Sequence, residues 1–465
     1  MTSKRFFPDT VLAVLGLVSL VVLWANVRNA KMYPSNARSI LYFYVLPVIL
    51  FLVFAGMFWL KESFRSNFAF VAVCVLLPLY GTEYILQRPI DPHTREWTNR
   101  TGMTKLEMIV QLRVHGVQAY PCVYPISFVH TAKIQTMRGP LQPLGGISRV
   151  TTVFCNEGDR IVAYNSDDHG FNNPQRNWGR DVKVLALGDS FLHGDCVAPD
   201  RNLSADLNRE VGSTVALGMG GNGPFEELGG IKEYLPYLHP KIVLWFYYEG
   251  NDLADTHRDK SDPLLVRYLE PGFSQDLYHR QDEIDLALKK LADPDGVIDR
   301  EVRNASPFFG FLKLRVFRAR LNKAFENVRG SKEGSKEAAP IKANEESGEA
   351  YSSDYSDEDL ILFGKILTEA RDFISKSGGQ LIFVYLPSWE RYGMPQSANR
   401  DRSRVLQWVS AQGIPSVDID PMFSKTTDPK KLFLYTGGQP GHYNSEGYQR
   451  VSDTVRNFVE KGRHL

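Results

Sequence analysis

From Ile40 to Leu60 the chain runs for 21 residues without a charged side chain. About 20 apolar residues at 1.5 Å rise span a bilayer core as a helix, so this run by itself meets the length of a membrane span. Two others flank it. Val11–Ala25 is apolar apart from Gly16 and Ser19, and Phe68–Leu86 is apolar apart from Gly81, Thr82 and Glu83 near its end. The first run resembles a signal peptide in length, but Trp24 and Arg28 follow it where a cleavage site needs small residues. The expectation is a membrane region over 1–88 with about three transmembrane helices.

The rest of the chain has a different character. Residues 1–90 hold eight Lys/Arg against three Asp/Glu, and the remaining 375 hold 46 against 50. A basic apolar part therefore precedes a slightly acidic part. Neither carries the basic field that a nucleic-acid binder needs, so no nucleic-acid partner is expected. With the N-terminus inside, Arg28, Lys31 and Arg38 fall on the opposite side, as do Arg88, Arg95 and Arg100 beyond the third run. That count leans mildly against export of the following domain, although long domains cross regardless of charge.

After a Pro/Gly-rich lead-in over 89–180, apolar runs and helical patterns alternate. Strand-like runs lie at Val182–Leu187, Ser213–Leu217, Ile242–Tyr247, Gln380–Leu386 and Ser416–Ile419. Helical patterns lie at Arg201–Val211, Pro224–Leu238, Leu360–Lys376, Arg402–Gln412 and Ser445–Lys461. This alternation predicts an α/β fold with a parallel sheet covered on both faces. An insertion at 256–357 interrupts the rhythm. It contains an amphipathic pattern over Phe308–Val328, rich in Lys and Arg, and a Ser/Glu/Lys/Gly-rich flexible linker over about 330–357. The amphipathic stretch reads as a helix packed on the domain, or as one lying on anionic headgroups.

Four short blocks carry chemistry. Gly188-Asp189-Ser190 follows the first strand, where a serine on a tight turn opens into the crevice at the carboxyl end of a parallel sheet. Gly218-Met219-Gly220-Gly221-Asn222-Gly223 follows the second strand, and its glycines let backbone N–H groups approach a ligand. Glu249-Gly250-Asn251-Asp252 follows the third, and the Asn251 amide is able to donate to a developing oxyanion. Gly441-His442-Tyr443-Asn444 precedes the last helix, with Ser445 as an N-cap-like residue. Each block alone is an ordinary turn. Asp189 and Asp252 are expected to support the loops through hydrogen bonds to backbone N–H groups.

Taken in order, Ser190, Gly221, Asn251 and His442 resemble the four blocks of the SGNH (GDSL-type) hydrolase superfamily, in a membrane-anchored bacterial type. The resemblance covers about residues 180–255 and 355–462. It implies a flavodoxin-like three-layer α/β/α fold over 181–465 and ester chemistry without a cofactor or metal. Ser190 would be the nucleophile and His442 the base, with the Ser190 N–H, Gly221 N–H and Asn251 side chain binding the oxyanion. The implied partner is an acyl ester, of a glycan or lipid-linked sugar, with the domain facing the periplasm or cell exterior. An O-acyltransferase or a degenerate glycan-binding protein competes with the esterase.

The family usually has an Asp three residues before the His, and here that position is Gln439. Either Gln439 or a backbone carbonyl supports a Ser–His dyad, or an acid such as Asp418 or Asp420 arrives from elsewhere, or activity is reduced. Of the four cysteines, Cys122 and Cys155 form the candidate pair if the domain is exported, Cys196 reads as a small buried residue, and Cys74 lies in the third apolar run.

Overall fold

The computed structural model describes residues 3–28, 40–86, 96–98, 104–131, 133–155, 160–174, 178, 181–304, 314, 317, 321, 356–394, 401–436 and 439–462. The chain divides into two compact units, one of residues 1–91 with 296–340 and the other of 92–295 with 341–465.

In the first unit the apolar runs are helices at Ser3–Arg28, Leu46–Met57 and Glu62–Leu86. Two segments, Phe6–Trp24 and Glu62–Ile85, are long and apolar enough to cross a membrane. The middle run departs from a continuous α-helix. It opens with a π-helical turn at Leu41–Val45, where the Leu46 N–H reaches back to the Leu41 carbonyl, and Leu46–Met57 has only 12 residues. Pro47 explains the wider turn, because it brings no N–H to an i−4 bond and its ring crowds that carbonyl. Within this unit the Phe317 N–H donates to the Glu83 carboxylate at 2.7 Å. The expected amphipathic helix and linker otherwise lie outside the described residues.

The second unit is built on a five-stranded parallel sheet. Strands are numbered here along the whole chain. The lead-in carries β1 (Glu96–Thr98), β2 (Ala119–Pro121), β3 (Ile134–Thr136), β4 (Gly139–Leu141), β5 (Thr151–Cys155) and β6 (Arg160–Asn165). The central strands are β7 (Val184–Gly188), β8 (Thr214–Gly218), β9 (Ile242–Tyr248), β10 (Gln380–Leu386) and β11 (Ser416–Asp418), in the spatial order β8-β7-β9-β10-β11. This is the flavodoxin-like order, and its switch point lies between β7 and β9.

Alternation along each strand builds the layers. Leu185, Leu187, Val215, Leu217, Val243, Trp245, Phe383 and Tyr385 face one core, under the helices Pro224–Leu238, Asp357–Lys376 and Arg402–Ala411. Their neighbours Val184, Ala186, Ala216, Leu244, Phe246, Ile382 and Val384 face the other, under Leu203–Glu210 and Ser445–Gly462. Strands with both faces buried read as continuous apolar runs, which is how the sequence showed them.

The lead-in is more ordered than its composition suggested. It forms a four-stranded sheet in the order β1-β6-β5-β2 and a β3–β4 hairpin. Its strands are three to six residues long, too short to leave a periodic signal. The final strands β12 (Phe433–Thr436) and β13 (Gln439–Tyr443) form a separate antiparallel hairpin. The last helix begins at Ser445, but its side-chain cap is Asn444, whose Oδ1 accepts the Gly447 N–H at 3.0 Å. Asn fills this position as well as Ser does, since each carries a short acceptor that reaches the N3 amide.

Candidate active site

β7 ends at Gly188, which pairs with Gly218 at the end of β8. A short helix, Ser190–His193, starts two residues after Gly188 and lies directly on these strand ends. A Cβ at residue 218 would stand 2.5 Å from the His193 amide nitrogen, so the Ser190–His193 helix settles here only because the strand closes in glycine. Asp189 caps that helix. One carboxylate oxygen accepts the Phe191 N–H at 2.9 Å, and the other accepts a proton of the Asn251 side-chain amide at 3.3 Å. Asn251 follows β9, so the two strands at the switch point are tied together through one carboxylate.

The Ser190 hydroxyl is 2.8 Å from Nε2 of His442, which arrives from β13, 252 residues later in the chain. With Nδ1 protonated, Nε2 accepts the serine proton, as a general base must. Phe191 fills the space behind the pair, with its ring stacked on Tyr248 at 3.9 Å and 4.8 Å from the His442 ring. Ser190 is buried at 3% exposure, and Asn251 at 8%. Gly221 lies three residues beyond β8 with φ +76°, a conformation that favours glycine, and a Cβ there would stand 2.9 Å from Ile126 of the lead-in. Its carbonyl accepts from Arg258 at 3.1 Å, and its N–H has no intramolecular acceptor among the described residues.

The loop of Asn251 is held from two directions. Asp252 is fully buried and accepts the Tyr248 N–H at 3.0 Å. Glu249 accepts the Tyr385 hydroxyl at 2.5 Å, the Ser388 N–H at 2.7 Å and the Arg391 guanidinium at 2.9 Å. Burial pushes the Asp252 and Glu227 carboxyls well above the usual carboxylate range; Asp252 is raised further by Glu227 and Asp189, and Glu227 by Asp189 and Glu226.

Gln439 pairs through its backbone with Thr436, and its side chain lies outside the described residues. The alternative acids face elsewhere. Asp418 is an ion-pair partner of Arg402. Asp420 accepts from the Tyr392 and Ser424 hydroxyls at 2.9 and 3.0 Å and lies 3.5 Å from Arg402.

The cysteines correct the expected pairing. Cys155 of β5 is bonded to Cys196, six residues after Ser190, with Cα atoms 5.3 Å apart, while Cys122 is a free thiol beside them. The sequence offered no spacing rule for this pair, because the lead-in sheet that brings β5 to the Ser190–His193 helix is invisible without tertiary structure. Glu249 and Arg391 were missed for the same reason: 142 residues separate them.

The fold is similar to solved lipolytic hydrolases. A lipase/acylhydrolase from Enterococcus faecalis matches at 13% identity, over 61% of this chain and 97% of that one, with a TM-score of 0.29. A GDSL-like lipase from Bacteroides thetaiotaomicron matches at 11% identity, over 61% and 89%, with a TM-score of 0.30. An acetyl xylan esterase from Butyrivibrio proteoclasticus matches at 11% identity, over 66% and 74%, with a TM-score of 0.29. No family model matches the sequence, and no curated protein does.

Proposed function

We propose that this chain is a membrane-anchored serine esterase or deacylase of the SGNH kind. The observation that carries this reading is the 2.8 Å contact between Ser190 Oγ and His442 Nε2 at the carboxyl end of the sheet, with the Asn251 amide held beside it by Asp189. Ser190 Oγ attacks the acyl carbonyl carbon while His442 takes its proton. The oxygen that gains charge is met by the Ser190 and Gly221 N–H groups and by the Asn251 proton not given to Asp189. Collapse breaks the ester bond, and His442 protonates the leaving alkoxide. Water, activated by the same imidazole, then releases the acid and restores Ser190.

His442 works here as half of a dyad, with a neutral acceptor in the Gly437–Gly441 loop, or the Gln439 amide, in place of the usual carboxylate. The substrate is an acyl ester on a glycan or lipid-linked sugar. The two apolar helices serve as the anchor, and the soluble part faces the periplasm or cell exterior. The Cys155–Cys196 bond supports that placement, since such bonds persist in oxidising compartments.

A fluorophosphonate probe tests the reading directly. The full-length protein in detergent is expected to label at Ser190 and to hydrolyse a chromogenic acetyl ester, and Ser190→Ala should do neither. Adding a glycan acceptor separates the competing transferase, in which acetyl would appear on the sugar at the expense of free acetate. A wild-type serine inert to the probe would leave a glycan-binding protein instead.

A further inference from the structure

His193 has no part in the proton transfers above, yet it is buried at the edge of the site. It ends the nucleophile helix and its side chain is fully enclosed. Phe154 at 4.9 Å and Tyr164 at 5.3 Å belong to the lead-in sheet, and Tyr124 at 6.2 Å belongs to the segment that follows β2. Both ring nitrogens have polar neighbours. Nε2 is 3.0 Å from the Tyr164 hydroxyl, and Nδ1 is the acceptor for the Gly220 N–H at 3.3 Å. Gly220 immediately precedes Gly221, whose N–H the ester reading assigns to the oxyanion.

From this geometry we infer that His193 is the positioning residue of the oxyanion loop: as the neutral tautomer with Nε2 protonated, it donates to Tyr164, accepts from the Gly220 N–H, and thereby fixes the backbone that presents the Gly221 N–H. The inference rests on the ester reading for its consequence and on the ring contacts for its geometry.

One neighbour competes. Asp195 Oδ1 also stands 3.3 Å from Nδ1. If Nδ1 carried the proton it would point toward that carboxylate, Nε2 would accept from Tyr164, and the Gly220 N–H would face another N–H. The direction of the Gly220 N–H is set by the loop, which Tyr124 and Ile126 pack against at residues 220 and 221. Tyr164 donates or accepts equally well. The rigid donor therefore decides the tautomer. A cation is disfavoured as well: burial, and then the nearby His442, press the His193 pKa down to about 3. His193 thus stays neutral while His442 cycles through its charged form.

The Cys155–Cys196 bond joins the same two parts of the molecule, three residues further along. The lead-in sheet thus holds the nucleophile segment covalently and reaches the oxyanion loop through one imidazole.

Two measurements test this on the full chain in detergent. Long-range proton–nitrogen NMR of selectively labelled histidine reads the His193 tautomer without substrate. Nε2–H with a bare Nδ1 is expected, and Nδ1–H would overturn the inference. Ester kinetics then compare three variants, with unfolding midpoints recorded for each. His193→Phe keeps a ring but has no acceptor, His193→Asn places its Oδ1 near the Nδ1 position, and His193→Gln places its amide near Nε2. Phe and Gln should lower kcat about 10- to 30-fold with KM within about twofold, as expected for a displaced transition-state donor. Asn should recover to within about threefold of wild type. Equal losses in Asn and Gln, or a fully active Phe variant, would mean that His193 only fills space. Failure of the wild type to turn over ester would refute the hydrolase reading instead, and the tautomer would still decide the contact to Gly220.

Discussion

Ser190 and His442 meet at 2.8 Å but are held there by different means. The serine follows β7, which is paired on both sides, with β8 and with β9. Its segment is fastened again by the Asp189 cap, by the Cys155–Cys196 bond and by the contacts of His193. The histidine sits on β13 of a two-stranded hairpin outside the main sheet. Its neighbour Tyr443 anchors that hairpin: it is fully buried, its hydroxyl donates to the Pro387 carbonyl at 2.6 Å, and its ring packs on Phe423, Phe433 and Tyr448. The serine segment is fixed by several ties at once, and the histidine hairpin by the packing of Tyr443 beside it. Under the esterase reading the difference fits the roles: a general base has to exchange protons with water and leaving group, whereas a nucleophile and its donors gain from exclusion of water.

Removing either member of the pair should have the largest effect. Ser190→Ala and His442→Ala are each expected to cost roughly 10⁴ or more in kcat, and the double variant little beyond either single one. Additive losses in the steady-state kinetics would show that the two do not act as a unit. Next comes the covalent tie, which spans 41 residues of sequence. A loop of this length is worth about 4 kcal/mol in the chain-entropy account, so Cys196→Ser should lower the unfolding midpoint well beyond a surface change. A matching drop in activity below that midpoint would show that the tie also sets the position of Ser190.

Asn251→Ala removes the amide that the esterase reading assigns to the oxyanion, and takes one donor from Asp189. A loss of about 10²–10³ in kcat with little change in KM is expected from ester hydrolysis. Acid exposes a further contrast between the two histidine sites. His193 stays neutral down to about pH 3, and burial also holds His169 down, to about 4. The unfolded chain takes up both protons below about pH 6.5, so it binds more protons than the native state in this window. The two histidines therefore contribute stability that rises with pH from about 4 to 6.5, against the opposite contribution of the raised Asp252 and Glu227 carboxyls, and His193→Phe should remove part of the histidine contribution in urea titrations at fixed pH.

The smallest effects concern the position three residues before His442, where Gln439 stands. Gln439→Asp should keep activity or raise it. Asp418→Asn and Asp420→Asn should change kcat by less than about threefold, because each residue is engaged with Arg402 rather than needed at the imidazole. Loss of activity in either Asn variant with an unchanged unfolding midpoint would move the acid to the end of β11 and end the dyad reading.

The central sheet was legible because its strands are buried on both faces and stand out as apolar runs between helices. Pro224–Leu238 and Gln380–Leu386 coincide with the expected elements, and β7, β8 and β9 shift by only one or two residues at their ends. Ser190, Asn251 and the glycine loop were legible because each follows its strand directly, where a parallel sheet opens its crevice. The lead-in sheet left no such trace. Its strands are short and pair across sequence, so neither its order nor the bond from Cys155 to Cys196 follows from spacing. The hairpin under His442 was hidden likewise, since Gly and Pro within 436–441 read as loop.

What the sequence determined by itself was the set of local facts: which segments are apolar enough for a bilayer, which strands feed which turns, and which residue types stand at those turns. Those depend on propensity and periodicity over a few residues. The tertiary structure alone decided the meetings across long separations. It placed His442 on Ser190, Glu249 on Arg391, and Cys155 with Tyr164 against the segment that follows Ser190, because the partners of a side chain are chosen by the packing of whole layers and not by its neighbours along the chain.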